Sequence, residues 1–471
     1  ATMRLLWATC FVLIALAAAS SPNDRPPVEN RTFTSTVIEE VIDEITGKMA
    51  DKELARIFTN AFPNTLDTTV RYTPNGDEPD TFIITGDIPA MWLRDSTNQV
   101  MPYVPYATRD PKLQDMLKGV VLRQVKSVLL DPYANAFNFD SSHPGEFASD
   151  LRRPEMTNAV WEGKYELDSL CAVVRLSAAY YDATKDASPF GETWKNAMDK
   201  IIETITVMQT GSEDFSTKTP SYKFQRETYH PSDSMTLYGI GPPAKTCGLS
   251  RSAFRPSDDA NKLPYPIAAN AMAVVSLEQI ERLCGPNGPH PDATLAKRAG
   301  ALAAEIDEAI HEFGVVSTRN HKDFLAYEVD GYGNHYVMDD ANIPSLLSLP
   351  YLGYTNTSDP LYLRTRAFVL SHDNPYFFSG HAGEGTGGPH VGLGWVWPMG
   401  IAIRGLTSDN DNEIKECLEM LRDSTGGTHF MHETFWMDDA SEFTRDWFAW
   451  ANSVFAELVL RVAAERPHLV F

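Results

Sequence analysis

A helical period that returns eight times leaves this chain few ways to fold. Over segments 36–59, 113–130, 166–181, 193–208, 270–284, 294–313, 412–422 and 446–465, apolar residues recur at three- and four-residue steps, the spacing that lines one face of an α-helix. Within 166–181, for example, Leu167, Leu170, Cys171 and Val174 share a face. Only 81–84 and 324–336 read as strands. The long loops between the helices, rather than the helices themselves, hold the clusters of Trp, Tyr, His, Asp and Glu. Each apolar stripe has to be buried against another element, and loops on a rigid scaffold are where chemistry is carried. The pattern predicts an all-α dominated toroid of helical pairs, with long loops and minor β segments forming a site face at one end. No fixed repeat period is present, which argues against a helical-repeat array.

The 63 acidic and 40 basic residues leave a formal charge of −23 on 471 residues. Such a surface repels phosphate backbones, and no basic stripe offsets it, so nucleic acid is not an expected partner. The chain opens with Arg4, an apolar run from Leu5 to Ala19, and a small-residue close at Ala17, Ala18 and Ala19. That order is the pattern of a secretory signal peptide, and residues 1–19 are read as one; the alternative is a retained anchor, the only way a membrane becomes a partner. Residues 20–35, rich in Pro, Asn, Asp and Arg, read as a flexible segment, and 36–471 as a single domain without a linker. Sequons at Asn30 and Asn356 suit a secreted protein or a secretory-pathway lumen, the Golgi included. Beyond Cys10, the four cysteines Cys171, Cys247, Cys284 and Cys417 permit one or two disulfides there.

Three loops concentrate chemistry. In Phe254-Arg255-Pro256-Ser257-Asp258-Asp259, two carboxyl groups beside a guanidinium allow one to stay ionised and the other to keep a proton, as a general acid requires; a plain helix cap is the bland alternative. In the segment His429 to Trp436, Glu433 stands among His432, Phe435 and Trp436, where a sugar ring stacks and a water is activated beside it. His429 and His432 are three apart, which also fits a metal pair or a core contact, but the zincin pattern fails at Trp436. From Thr85 to Ser96, Asp87, Trp92, Arg94 and Asp95 combine forked polar groups with a ring, suited to hydroxyl recognition; an ion pair locking a turn is the alternative. The glycine-rich run from Gly380 to His390 contains a formal G-x-G-x-x-G, but it opens no Rossmann unit and its Glu384 would repel phosphate; it is read as a flexible rim loop.

Taken together, GDIPAMWLRDS (86–96), KYELDSL (164–170), FRPSDDA (254–260) and HET (432–434) resemble, in matching order, the signature stretches of the metal-independent exo-α-1,6-mannosidases. These are inverting glycoside hydrolases with an (α/α)6 barrel, and the resemblance runs from about residue 36 to the C-terminus. It implies removal of non-reducing α-1,6-linked mannose from glycans or mannoproteins with no metal and no cofactor. The general acid carries over to Asp258 or Asp259 and the general base to Glu433. The first motif places Asp87, Arg94 and Asp95 at the mannose, with Trp92, Glu166, Arg255, His390 and His432 as further contacts. Inversion needs acid and base roughly 6.5–9.5 Å apart, with water between. An exo-mannosidase of α-1,2 or α-1,3 linkage on the same barrel, or an inactive carbohydrate binder, are the alternatives.

Overall fold

The computed structural model describes residues 24–471, apart from Asp77, Thr217 and the Ser216 side chain; the expected signal segment lies outside the described residues. Two kinds of helix alternate along the chain. The first set is Lys52–Ala61, Pro111–Leu130, Glu192–Val207, Ala293–Phe313, Pro360–Val369 and Asp411–Asp423. Apart from Pro111–Leu130, which is buried all round from Met116 to Val121, these helices bury one stripe: Asp411–Asp423 buries only Ile414, Cys417, Leu418 and Leu421, the spacing of a helix half in water.

The second set is Leu93–Val100, Leu167–Thr184, Ile267–Leu283, Leu349–Leu352, Pro398–Leu406 and Ala449–Glu465. Each packs on its neighbours as an inner ring: Ala449–Glu465 lies against Pro398–Leu406 and Leu93–Val100, and the latter against Leu167–Thr184, which meets Ile267–Leu283. Every residue of Leu93–Val100 is buried, Arg94, Asp95, Asn98 and Gln99 included. Outer and inner helices together make the (α/α)6 barrel.

Five of the inner helices begin in the same way. Trp92, Glu166, Pro266, Trp397 and Phe448 precede them in extended conformation, and none donates a side-chain cap. Short ladders hold three of these starts. Met91–Trp92 pairs with Ala136–Phe137, Tyr265–Pro266 with Glu328–Val329, and Trp395–Val396 with the strand Thr434–Trp436. Helix N-termini carry partial positive charge and unsatisfied N–H groups, so acidic side chains are favoured at their ends.

The structure departs from the sequence reading in several places. Segment 36–59 is two helices, Thr36–Lys48 and Lys52–Ala61, because Asp51 caps the second by accepting from the amides of Glu53 and Leu54, each at 3.0 Å. The inner helices Leu93–Val100 and Pro398–Leu406 show no stripe, being enclosed on all sides, and escaped the periodicity argument. Residues 24–35 are pinned rather than flexible: Arg25 forks onto Glu39 at 2.6 Å and Asp67 at 2.7 Å, and Phe33 is buried. Cys171, Cys247, Cys284 and Cys417 are all free, so the described residues hold no disulfide. The glycine-rich run is no loose rim either. Phe377–Ser379 pairs with Glu384–Thr386, and a Cβ on Gly387 would fall 2.2 Å from the Trp395 carbonyl oxygen. Its glycines serve close packing. No described helix is long and apolar enough to cross a membrane.

Candidate active site

A cavity of about 410 Å³, open to solvent, lies where the inner helices start. It is lined by Trp92, Arg94 and Asp95 from one helix start, Trp397 from a second, and Phe448 and Trp450 from a third, with Asp258, Asn342, His390, Glu433 and Arg445 from loops. Three of its indoles, those of Trp92, Trp397 and Trp450, have buried Nε1 groups with no hydrogen-bond partner in the protein, as does Arg94 Nε. Buried donors are ordinarily satisfied, so these four are exceptions in the cavity wall.

Asp258 reaches the cavity because its turn is tight. Phe254 and Ala260 form a β-bridge, the Asp258 amide donates to the Arg255 carbonyl at 2.9 Å, and Asp258 adopts φ 65°. Aspartate tolerates this left-handed conformation better than most residues. The turn sends the two neighbouring carboxyl groups apart. Asp258 lies 3.2 Å from Arg94 Nη2 and 3.4 Å from Asn135 Nδ2, while Asp259 turns away to Ser257 Oγ at 3.1 Å and His390 Nδ1 at 3.5 Å. Burial disfavours the His390 cation, but the Asp259 carboxylate outweighs it and pushes the imidazole up to about 9.

Glu433 is presented by a different device. The antiparallel pair Thr434↔Thr444 places Glu433 and Arg445 side by side at the end of a three-stranded sheet. Thr444 Oγ1 donates to Glu433 at 3.1 Å, and Arg445 Nε lies 3.6 Å from the same oxygen while its Nη1 lies 3.6 Å from Asp87. Nearby, Gly86 has φ 137° and lies under Trp447, where a Cβ would come within 2.8 Å of the ring.

Two carboxyl groups from separate loops, ringed by indoles, make a glycosidase-like pocket, and comparison with known proteins gives it a family. The model of the metal-independent alpha-mannosidase family (GH125) matches residues 51–460. The chain belongs to that family. This α-mannosidase is 43% identical over 462 residues to the meiotically up-regulated gene 157 protein of Schizosaccharomyces pombe, covering 95% of this chain and 90% of that one. It superimposes on a Streptococcus pneumoniae metal-independent α-mannosidase, solved in a non-productive complex with α-1,6-mannobiose, with a TM-score of 0.87 at 38% identity, over 92% of this chain and all of that one. A bacterial glucoamylase bound to acarbose shares the fold alone, with a TM-score of 0.54 at 12% identity over 89% of this chain and 56% of that one.

Of the residues expected at the mannosidase site, Trp92, Arg94, Asp95, Asp258, His390 and Glu433 line the cavity. Five others do not. Asp259 sits behind Asp258, and Asp87 stands at the rim with its side chain 59% exposed. Glu166 is fully enclosed beneath Arg94, at 2.6 Å from Nη1. Arg255 is a structural ion pair, its Nε 2.6 Å from buried Glu328 and its guanidinium over Tyr327. His432 is buried, stacked on Phe443 at 3.8 Å, with its ring nitrogens 2.8 and 2.9 Å from the carbonyl oxygens of Arg445 and Thr425. Burial lowers its pKa, and no face of it is left for substrate. Sequence reasoning missed Asn135, Asn342, Arg445, Trp397, Phe448 and Trp450. The tryptophans were visible only as residues preceding or opening helices; Asn135 carries no local signal.

Proposed function

We propose that this α-mannosidase removes single non-reducing α-1,6-linked mannose units from glycans or mannoproteins with inversion, using Asp258 as general acid and Glu433 as general base. What carries the reading is the division of labour in one cavity. Asp258 and Glu433 both reach it on unrelated elements, whereas Asp259 is turned into the protein. Protonation of the leaving oxygen by one carboxyl group and deprotonation of water by another from the opposite face is what inversion requires. The rings of Trp92, Trp397, Phe448 and Trp450 suit the apolar face of mannose. The α-1,6 linkage is drawn from the ligand of the Streptococcus pneumoniae relative.

The test is a panel of α-1,2-, α-1,3- and α-1,6-mannobiose digested by purified enzyme with chelator present. Release from the α-1,6 isomer alone is the expected result, and release from another isomer instead would move the assignment to that linkage. We further propose a secretory-pathway location, supported by Asn30 and Asn356, both exposed. A mass shift on enzymatic deglycosylation of the native protein is the expected result, and its absence counts against a lumen.

A further inference from the structure

Four carboxyl groups converge on the guanidinium of Arg94. Glu166 and Asp168 lie 2.6 and 3.4 Å from Nη1, and Asp258 and Asp95 each lie 3.2 Å from Nη2. On the other side, Asn135 Nδ2 is 2.9 Å from Glu162, 3.3 Å from Glu166 and 3.4 Å from Asp258. An amide nitrogen has two hydrogens, so three carboxyl oxygens exceed what it can donate to.

The other cations nearby are already engaged. Arg226 lies 2.8 Å from Glu162, and the Lys164 ammonium donates to the Asp258 backbone carbonyl at 2.8 Å and lies 3.0 Å from Asp233 and 3.5 Å from Glu162. His390 is turned to Asp259. One guanidinium therefore faces Glu166, Asp168, Asp258 and Asp95 in a largely buried nest, and such a cluster does not stay fully ionised. The Glu166 side chain is fully enclosed, while that of Asp258 is 26% exposed and opens on the cavity. Arg94 and Ser169 both donate to Glu166 Oε2, at 2.6 and 2.8 Å, which leaves Oε1 on the side of Asn135.

We propose that Glu166 and Asp258 share one proton, which Glu166 holds while the cavity is free of substrate and which Asp258 delivers to the glycosidic oxygen. Burial, outweighing Arg94, drives the Glu166 carboxyl well above its ordinary range. Asp258 is held well below its own, against the penalty of its partial burial, by Arg94 and by the neighbouring Glu166. A pair coupled in this way titrates as a unit. In turnover the proton passes from Glu166 to Asp258 and on to the leaving oxygen as the C–O bond breaks. Glu433 takes one proton from the attacking water, and solvent returns it to the pair, so none is gained or lost. Glu166 is a positioning residue here, touching no substrate. The inference rests on the assignment of Asp258 as general acid.

The test compares wild type, Glu166→Gln and Asp258→Asn on α-1,6-mannobiose and on α-mannosyl fluoride, whose fluoride leaves without protonation. Glu166→Gln should lose about 100-fold or more of its neutral-pH kcat/KM on mannobiose, recover part of it towards acid pH as Asp258 takes its own proton, and keep its fluoride activity. Equal loss on both substrates, or an unchanged mannobiose pH profile, overturns the shared proton. Asp258→Asn should show the same split between substrates; if it keeps mannobiose activity, the acid assignment itself fails, whatever Glu166 does. Should Glu166→Gln not fold, an infrared difference spectrum of wild type with and without thio-linked α-1,6-mannobiose decides. A protonated glutamate band exchanged for a protonated aspartate band supports the proposal, and a spectrum without the glutamate band overturns it.

Discussion

Asp258 and Glu433 share a cavity but live in opposite surroundings. Around Asp258, Glu162, Glu166 and Asp168 crowd one guanidinium and one amide, and the nearest cations, Arg94 and Lys164, have side chains only 3% and 2% exposed. Glu433 instead meets donors: Thr444 Oγ1 at 3.1 Å and Arg445 at 3.6 Å, the latter 27% exposed and shared with Asp87 at the rim. The first nest has more carboxyl groups than positive charges and keeps a proton; the second orients one carboxylate towards water. On the proposed assignment, acid and base are told apart by the company each keeps, since the two side chains differ by one methylene.

The largest effect expected from breaking this contrast is at the base. Glu433→Gln should lower kcat by about 10³–10⁴-fold, and, unlike Asp258→Asn, it should lose mannosyl fluoride as well as mannobiose, because both need activated water. Steady-state rates on the two substrates check it, and retained fluoride activity in Glu433→Gln would erase the distinction.

The two arginines separate next. Removing Arg94 strands several buried carboxyl groups, and loss of one partner from a buried charge network costs about 3–5 kcal/mol. Arg94→Met should therefore unfold at a much lower urea concentration than wild type. Arg445→Met, at a half-open rim, should change stability by less than about 1 kcal/mol yet slow mannobiose hydrolysis, as the base loses a fixed neighbour. If both variants lose stability alike, the dry-versus-open contrast is wrong.

The smallest effect concerns His390. Its folded value, about 9, lies above the unfolded value near 6.5. The Asp259–His390 contribution is thus fully present below about pH 6.5, and is lost as pH rises through 9. With the imidazole 37% exposed, solvent screening keeps it under about 1 kcal/mol. The urea midpoint of wild type should fall over that window more than that of His390→Gln.

The amphipathic outer helices were legible because a stripe facing water leaves a period. Leu93–Val100 was not, since burial on every side and a polar end facing the cavity erase the period. At the site, the motifs gave Asp258, Glu433 and Arg94 their neighbourhood but not their orientation. The choice between Asp258 and Asp259 turned on a φ of 65°, which no spacing announces. His432 and Arg255 sat in the right segments but were turned into the core by Phe443 and Glu328. Asn135 and Arg445 reach the site through strand pairing, the one beside Ala136–Phe137 and the other beside Asp439–Thr444, and such neighbours are invisible before the chain folds.

The central claim, inverting hydrolysis by Asp258 and Glu433, is met most directly by proton NMR of α-1,6-mannobiose during digestion with chelator present. The account predicts β-mannose as the first-formed anomer, mutarotating later, and no release by Glu433→Gln. First-formed α-mannose would contradict it.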